Sequence, residues 1–477
     1  MNYTNRPNVL FFLIDGLRAD QCFGKDKTSY TPNIDSLIQK GTYFSNAFTS
    51  VDGTGLSLRA ISHSLYPTKF ESKTKLTLQK NNLFDILIKN GYEIDGLFPD
   101  LKGFSDYVNY FENKNKTYAY WEYADSTDSS KIDQFYQNTS SPTTNKIIDF
   151  LKFHTSKKPW FYYFHAMTLH PLKEYFASHK RKYVVTNSGI GDFDDEKYGA
   201  GIYERVVSFI DNELGKILEY VDFDNTILIL LADHGQKVPY EDTSEVDFQP
   251  KLDHAVDFGK KILPKSAHKA GGEFLYNIRK FVGKRKLNRS NKQLTNYQKR
   301  SRETFDNVSL FDEMLHVPLL FVNNNINPGI ISNTVNHTDI LPTLCGILNI
   351  NLNHKVNGRN LLPLIQGNSI KENPIYLRTR PYIDSKLDKR DSVGIRTNNY
   401  KYFRSIHNPK DSVHLYDLKN DPYENNNIAE TNKELVDKFE ELLLEIQEND
   451  FSENNGENVE ELTSAEIEYE LKKMGYV

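Results

Sequence analysis

A few short stretches of this chain carry side chains that could do chemistry. In SVDGTGLSLRAISHSLYP, Ser50 to Pro67, a small-residue turn leads into a helix-like run and a Tyr-Pro stop, with Thr54 at the mouth of the turn. An alcohol there is either a helix cap or a nucleophile, and as a nucleophile it needs an activating partner. The apolar run Asn8–Ile14 ends in Asp15-Gly16, and the run Asn225–Gly235 ends in Asp233-His234-Gly235. FHAMTLHPL places His165 and His170 near the end of an aromatic strand, and His316 precedes Val317-Pro318. Arg18 and Arg59 lie close in sequence to the first carboxylate and to Thr54, and a guanidinium can pair with the oxygens of an anion.

The elements that must position these groups are legible from pattern. Continuous apolar runs, such as the one in Asn8–Ile14, are expected of central parallel strands buried on both faces. TPNIDSLIQKG reads as a helix, with Thr31 able to cap, Pro32 in the first turn and Gly41 as the stop. TYFSNAF reads as one short strand. A helix over Leu83–Lys89, with Gly91 as its C-cap, precedes another strand. KPWFYYFHAM, NTILILLADHG and HVPLLFV read as further strands, and YGAGIYERVVSFIDNELGKILEYV as a long amphipathic helix. This alternation predicts an α/β fold with a central, mostly parallel sheet flanked by helices. Ligands in such sheets bind beyond the carboxyl ends of the strands, where Asp15 and Asp233-His234 fall.

The remainder of the chain differs. SVGIRTNNYKYFRSI and SVHLYDLKNDPYENNNIAE predict short strands with turns, followed by a helix near Glu434–Gln447. We read residues 1–370 as a catalytic domain, 371–447 as a smaller α+β C-terminal domain and 448–477 as an acidic tail. Residues 260–302 hold 14 Lys or Arg and one acid, Glu273. Within that insert Phe274, Leu275, Ile278, Phe281 and Val282 make one apolar face on a basic helix. It reads as a solvated insert packed on its own domain, or as a peripheral contact with an anionic surface such as lipid headgroups. No nucleic-acid motif accompanies the charge, so no nucleic-acid partner is expected.

With 477 residues the chain is too long for one ordinary core, and its 38% hydrophobic and 26% charged content suits a globular protein. The net charge of −5 selects no partner class, and oligomeric state is not written in the sequence. Cys22 and Cys345, the two cysteines, offer no disulfide framework. The apolar run Val9–Ile14 is far too short to span a membrane and lacks a cleavage pattern, so a cytoplasmic location is expected, membrane-peripheral if the insert binds lipid.

Read in order, PNVLFFLIDGLRAD, TPNIDSLIQKGTYFSNAF, TGLSLRAISHSLYP, LADHG, LFDEMLHVPLLF, NHTDILPTL, GRNLLPLI and LYDLKNDPYENNNIA resemble the successive landmarks of the sulfatase branch of the alkaline phosphatase superfamily. The resemblance covers roughly residues 6–235 and 308–430. It implies an alkaline phosphatase-like sheet and one divalent metal (Mn, Zn, Mg or Ca). By resemblance the metal is held by Asp15, Asp233 and His234 and touches the nucleophile, Thr54. A mixed carboxylate and imidazole set suits such a cation, which would lower the hydroxyl's pKa. The resemblance also implies a histidine touching the ester oxygens or leaving group, for which His170 is the better candidate. His165, Arg18 and Arg59 are candidates for binding substrate, and His316 is a second catalytic candidate. His337 and Asp339 read as a helix start.

Two departures from the family pattern shape the expected function. Sulfatases usually carry Asp-Asp after the first strand, where this chain has Asp15-Gly16. They also carry Cys or Ser in C/S-x-P-x-R, oxidised to formylglycine. Here Thr54-Gly55-Leu56-Ser57-Leu58 stands in that place, without the proline and with Arg59 one position late. Threonine carries a methyl on Cβ and cannot become that aldehyde. The expectation is therefore a metal-dependent phosphoester or phosphodiester hydrolase, or a phosphotransferase, forming a covalent Thr54 ester. The alternatives are a sulfuric-ester hydrolase acting on a sulfated glycan or aryl ester, and an inactive scaffold that binds anionic glycan or lipid. In the first two the partner is an anionic ester, on a small molecule or a glycan.

Overall fold

The structure is a computed structural model that describes residues 6–68, 81–101, 104–118, 141–170, 190–193, 195–238, 292, 296, 299–300, 310–379 and 391–448. The apolar face read over 274–282 and the tail from 449 onward lie outside the described residues, as does all of the basic insert except 292, 296, 299 and 300.

The strands are β1 Asn8–Ile14, β2 Thr42–Phe44, β3 Ala47–Phe48, β4 Glu93–Pro99, β5 Thr117–Tyr118, β6 Trp160–Ala166, β7 Thr226–Leu231, β8 Leu319–Val322, β9 Gly329–Ile331 and β10 Val335–Asn336. They are followed by β11 Ile375–Arg378, β12 Ser392–Arg396, β13 Tyr400–Ser405 and β14 His414–Asp417. Eight strands form one sheet in the order β5-β4-β6-β1-β7-β8-β2-β9. All its pairings are parallel except those of β8, which runs antiparallel to both β7 and β2. Strand β1 lies between β6 and β7, and six of its seven residues are buried. That central place is what its uninterrupted apolar run encodes.

The longer helices are α1 Pro32–Lys40, α2 Thr54–His63, α3 Leu83–Lys89, α4 Ser141–Phe153, α5 Ile202–Leu218, α6 Ile340–Ile347 and α7 Lys433–Glu448. The stretch TYFSNAF is divided at Ser45-Asn46 into β2 and β3, and the two halves join different sheets. Thr31 precedes α1 but its side chain does not cap it. The Asp211 carboxylate of α5 does so instead, accepting from Asn33 N (3.1 Å) and Ile34 N (2.7 Å). A helix entry is thus satisfied by a neighbouring helix rather than by its own sequence.

A separate antiparallel sheet, β11-β12-β13-β14, forms the small C-terminal domain and is packed by α7 through Phe439 and Leu443. A cluster of buried charges joins it to the main body. Lys401 Nζ reaches Asp312 Oδ1 (2.8 Å) and Glu424 Oε1 (2.6 Å), and Arg396 reaches Asp312 Oδ1 (2.8 Å). Strand β11 also touches the segment that leads into α2, where Arg378 N donates to the Ser50 carbonyl at 2.8 Å. Among the described residues no helix is long and apolar enough to cross a membrane.

Candidate active site

Three adjacent strand ends and one helix start converge. Asp15 follows β1, and its N–H still donates to the Ala166 carbonyl of β6 at 2.9 Å. Asp233 and His234 follow β7 on the other side of β1. His165 sits in β6, paired in register with Leu13. Thr54 is the first residue of α2, one past the Gly53 cap, and its hydroxyl caps nothing. It lies 3.1 Å from Asp15 Oδ2 and 3.2 Å from His234 Nε2. The start of a helix presents N–H groups and the positive end of the helix dipole, which favour an incoming anion.

Local hydrogen bonds fix how these groups face. Asp233 Oδ1 accepts from Gly16 N (3.2 Å) and His234 N (2.9 Å), while Asp233 Oδ2 is buried without a hydrogen-bond partner. His234 Nδ1 lies 2.7 Å from the Gly235 carbonyl, which can only accept. Nδ1 therefore carries the proton, and Nε2 turns a lone pair towards Thr54. Tyr203 donates to the Gly16 carbonyl (2.6 Å) and accepts from Arg18 N (3.0 Å), pinning the turn after β1. Gly16 has φ +73°, and a Cβ there would meet Gln236 Oε1 at 2.8 Å. A second acid, which the family pattern would place at this position, would have to take up a left-handed backbone conformation and displace the Gln236 side chain.

The electrostatics separate the two carboxylates. Burial pushes Asp15 upward, yet His165, then His170 and His234, outweigh it and hold the carboxyl well below the usual range. Asp233 is raised, chiefly by burial and then by the negative charge of Asp15. Two acids this close in a dry pocket resist sharing two negative charges unless positive charge joins them. The residues present fit a divalent cation. Ligand atoms of Asp15, His165 and Asp233 all lie within 4.8 Å of one another, and two of them, His165 Nε2 and Asp233 Oδ2, are buried without hydrogen-bond partners. Asp15, Asp233, His234 and the Thr54 hydroxyl together offer the carboxylate, imidazole and alcohol donors expected of such a site.

The other sequence candidates are placed less centrally. His170 is buried in the turn after β6, and its charge acts on Asp15. Arg18 is ion-paired with Asp20, with Nε 3.1 Å from Asp20 Oδ1. Arg59 is five positions along α2 from Thr54, around the helix from it, and its charge acts on Tyr107. His316 Nε2 donates to the Ser45 carbonyl (2.8 Å), and its ring stacks on Phe48 with centroids 4.9 Å apart. His337 begins a short helix, as its sequence context predicts, where Asn336 and Asp339 form a capping box.

Ser57, which sequence reasoning passed over, donates its hydroxyl to the Asp233 carbonyl at 2.5 Å and lies 3.0 Å from His337 Nδ1. Its one signal in the sequence was its spacing, a helical turn after Thr54.

Comparison with known proteins agrees with this geometry. Residues 7–350 match the sulfatase family profile, and residues 301–449 match the profile described as N-sulphoglucosamine sulphohydrolase, C-terminal. An ulvan-active sulfatase of Formosa agariphila is 25% identical over 471 residues, covering 89% of this chain and 76% of that protein. A protein solved in complex with its substrate D-glucosamine-2-N,6-O-disulfate superposes with a TM-score of 0.60 at 15% identity, covering 93% of this chain and 98% of that one. The phosphonate monoester hydrolase of Agrobacterium radiobacter does so with a TM-score of 0.60 at 16% identity, covering 93% and 96%. The first profile runs from β1 through α6, and so takes in each strand end and the helix start described above. The chain therefore belongs to the sulfatase family, hydrolases of the alkaline phosphatase-like superfamily acting on sulfuric esters.

Proposed function

We propose that this protein hydrolyses a sulfuric ester carried by an anionic glycan, with Thr54 as the nucleophile. The observation that carries the reading is the Thr54 hydroxyl at the start of α2, within 3.1 Å of Asp15 Oδ2 and 3.2 Å of His234 Nε2, in a chain of the sulfatase family. The glycan is supported by the relatives described as acting on ulvan and on a glucosamine disulfate.

A divalent cation held by Asp15, Asp233, His234 and Thr54 would supply positive charge beside the hydroxyl and the ester oxygens, making the alcohol acidic enough to react near neutral pH. The chain's own groups do the rest. The Thr54 hydroxyl donates to Asp15 Oδ2, which orients its oxygen. The N-terminal N–H groups of α2 receive the oxygens of the ester. The Thr54 hydroxyl gives its proton to bulk water, its oxygen bonds to sulfur, and the bond from sulfur to the glycan oxygen breaks. His170, which lies close enough to act on Asp15, protonates the leaving glycan alcohol. Water then attacks sulfur, giving one proton to the now neutral His170 and the other to the departing Thr54 oxygen, and sulfate is released.

Phosphoryl in place of sulfuryl transfer is a second reading, favoured by the identity of residue 54. Its Cβ methyl closes the aldehyde route, and a plain alcohol nucleophile suits a phosphoric ester equally. Side-by-side turnover of aryl sulfate, aryl phosphate, a bis-aryl phosphodiester and a sulfated oligosaccharide separates the two. Hydrolysis confined to the phosphoric esters would replace the first reading with the second. Thr54→Ala should abolish turnover of whichever ester is cleaved while leaving metal bound. Full activity in that variant would end the claim for Thr54.

A further inference from the structure

We propose that His165 is itself a ligand of the metal centre, and that the resulting site of two carboxylates and two imidazoles selects Mn2+ or Zn2+ over Ca2+. This rests on the reading that the site holds a divalent cation. The side-chain donors form a chain of close neighbours. His165 Nε2 lies 3.7 Å from Asp15 Oδ2, Asp15 Oδ2 lies 3.1 Å from Thr54 Oγ1, Thr54 Oγ1 lies 3.2 Å from His234 Nε2, and His234 Nε2 lies 3.5 Å from Asp233 Oδ2. Donors held about 2.0–2.2 Å from one ion at ordinary coordination angles sit roughly 3–3.7 Å apart. Every step of the chain falls in that interval, the step to His165 included.

Burial and orientation support the same assignment. His165 is fully buried, and its Nε2 has no hydrogen-bond partner. Leaving a buried imidazole nitrogen unsatisfied is costly unless something else engages it. The ring is held in place by its surroundings: Nδ1 is 3.2 Å from the Tyr163 hydroxyl, and the rings of Phe98 and Phe104 pack against it. When the Tyr163 oxygen accepts a hydrogen bond from Nδ1–H, Nε2 is left with a lone pair to offer a cation held between it and the acids, as in ligating histidines with an outer partner. The topology supplies the position, since β6 and β7 flank β1 and each contributes an imidazole on its own side. Calcium favours oxygen ligands throughout, whereas imidazole suits the transition-row cations.

The test uses the full chain, freed of metal by chelation and reloaded with Mn2+, with electron spin-echo modulation counting the coupled histidine nitrogens. Two are expected in the wild type, and one in His165→Ala or His234→Ala. A wild type with one coupled nitrogen, lost only in His234→Ala, overturns the role of His165 while the metal site stands. Failure to bind Mn2+ at all overturns both. Calorimetry should find Mn2+ bound at least tenfold more tightly than Ca2+, with the preference collapsing in His165→Asn. An unchanged preference in that variant, its fold verified by circular dichroism, also overturns the assignment. The wild-type nitrogen count decides the matter even where a variant fails to fold.

Discussion

The Ser57 hydroxyl donates to the main-chain carbonyl of Asp233 at 2.5 Å, tying the helix that begins at Thr54 to the strand end that carries Asp233 and His234. Both groups are buried, so the bond holds the proposed nucleophile and two candidate ligands in one register. Ser57→Ala leaves that carbonyl without this donor and should cost about 1–3 kcal/mol in denaturant unfolding. If the bond positions Thr54, kcat falls further than KM rises. An unaltered kcat in a well-folded variant would reduce Ser57 to a stability role.

The turn at Gly16 yields a second expectation. Gly16→Ala forces a side chain into a left-handed conformation and towards Gln236. The backbone term alone is about 1–2 kcal/mol. Gln236→Ala should recover the steric part and leave the backbone part, so urea unfolding of the single and double variants separates the two. Equal stability of Gly16→Ala and wild type would contradict the geometry.

Acid should weaken the fold through His337. Burial, the largest influence, lowers its pKa from 6.5 to about 3, with the Ala232 carbonyl opposing and the charge of His234 assisting. Between those values the unfolded chain binds a proton at residue 337 that the native state refuses. Its contribution is therefore fully present above pH 6.5 and is lost progressively as pH falls towards 3, by on the order of 5 kcal/mol. His337→Gln should flatten the stability profile across that window. The check is a series of urea melts from pH 7 down to the acid limit of solubility.

Asp312 is held low in the opposite sense. Burial raises it, and Arg396 followed by Lys401 overcomes that. Its contribution is present above the ordinary carboxylate value of 3.8 and disappears below it. Asp312→Asn removes one counter-charge from the fully buried Lys401, which keeps Glu424. The loss should be about 3 kcal/mol, near the lower end for a broken buried pair. Thermal unfolding at neutral pH measures it.

Chelation should lower the thermal midpoint, and Mn2+ should restore it. A cation present at a hundred times its dissociation constant adds about 2.7 kcal/mol to the native state. A midpoint indifferent to chelator and metal would remove the cation from the site.

Much of this architecture is legible in the residues. Strands β1 and β7 declare themselves because burial on both faces leaves no polar position after their first residue, and the acids that follow them mark where a parallel sheet binds its ligands. Helix α1 is equally plain, although its cap is not. The carboxylate that satisfies its N–H groups comes from Asp211, far along the chain, and no local pattern announces it. The antiparallel course of β8 is hidden for the same reason, since a short apolar run looks alike in either direction. The placement of His165 beside Asp15 depended on strand order. Its own stretch offers only a histidine among aromatics, and β6 had to be set next to β1 before its nitrogen met the acids.

The small C-terminal sheet is more than an appendage. Through the bond from Arg378 N to the Ser50 carbonyl, and the bridge between Val51 and Arg378, its first strand splices into the peptide just ahead of Gly53 and Thr54. Any sway of that sheet against the larger one is thus transmitted along three peptide units to the Thr54 hydroxyl. Selection for catalysis then reaches β11, although no β11 side chain need ever meet a substrate.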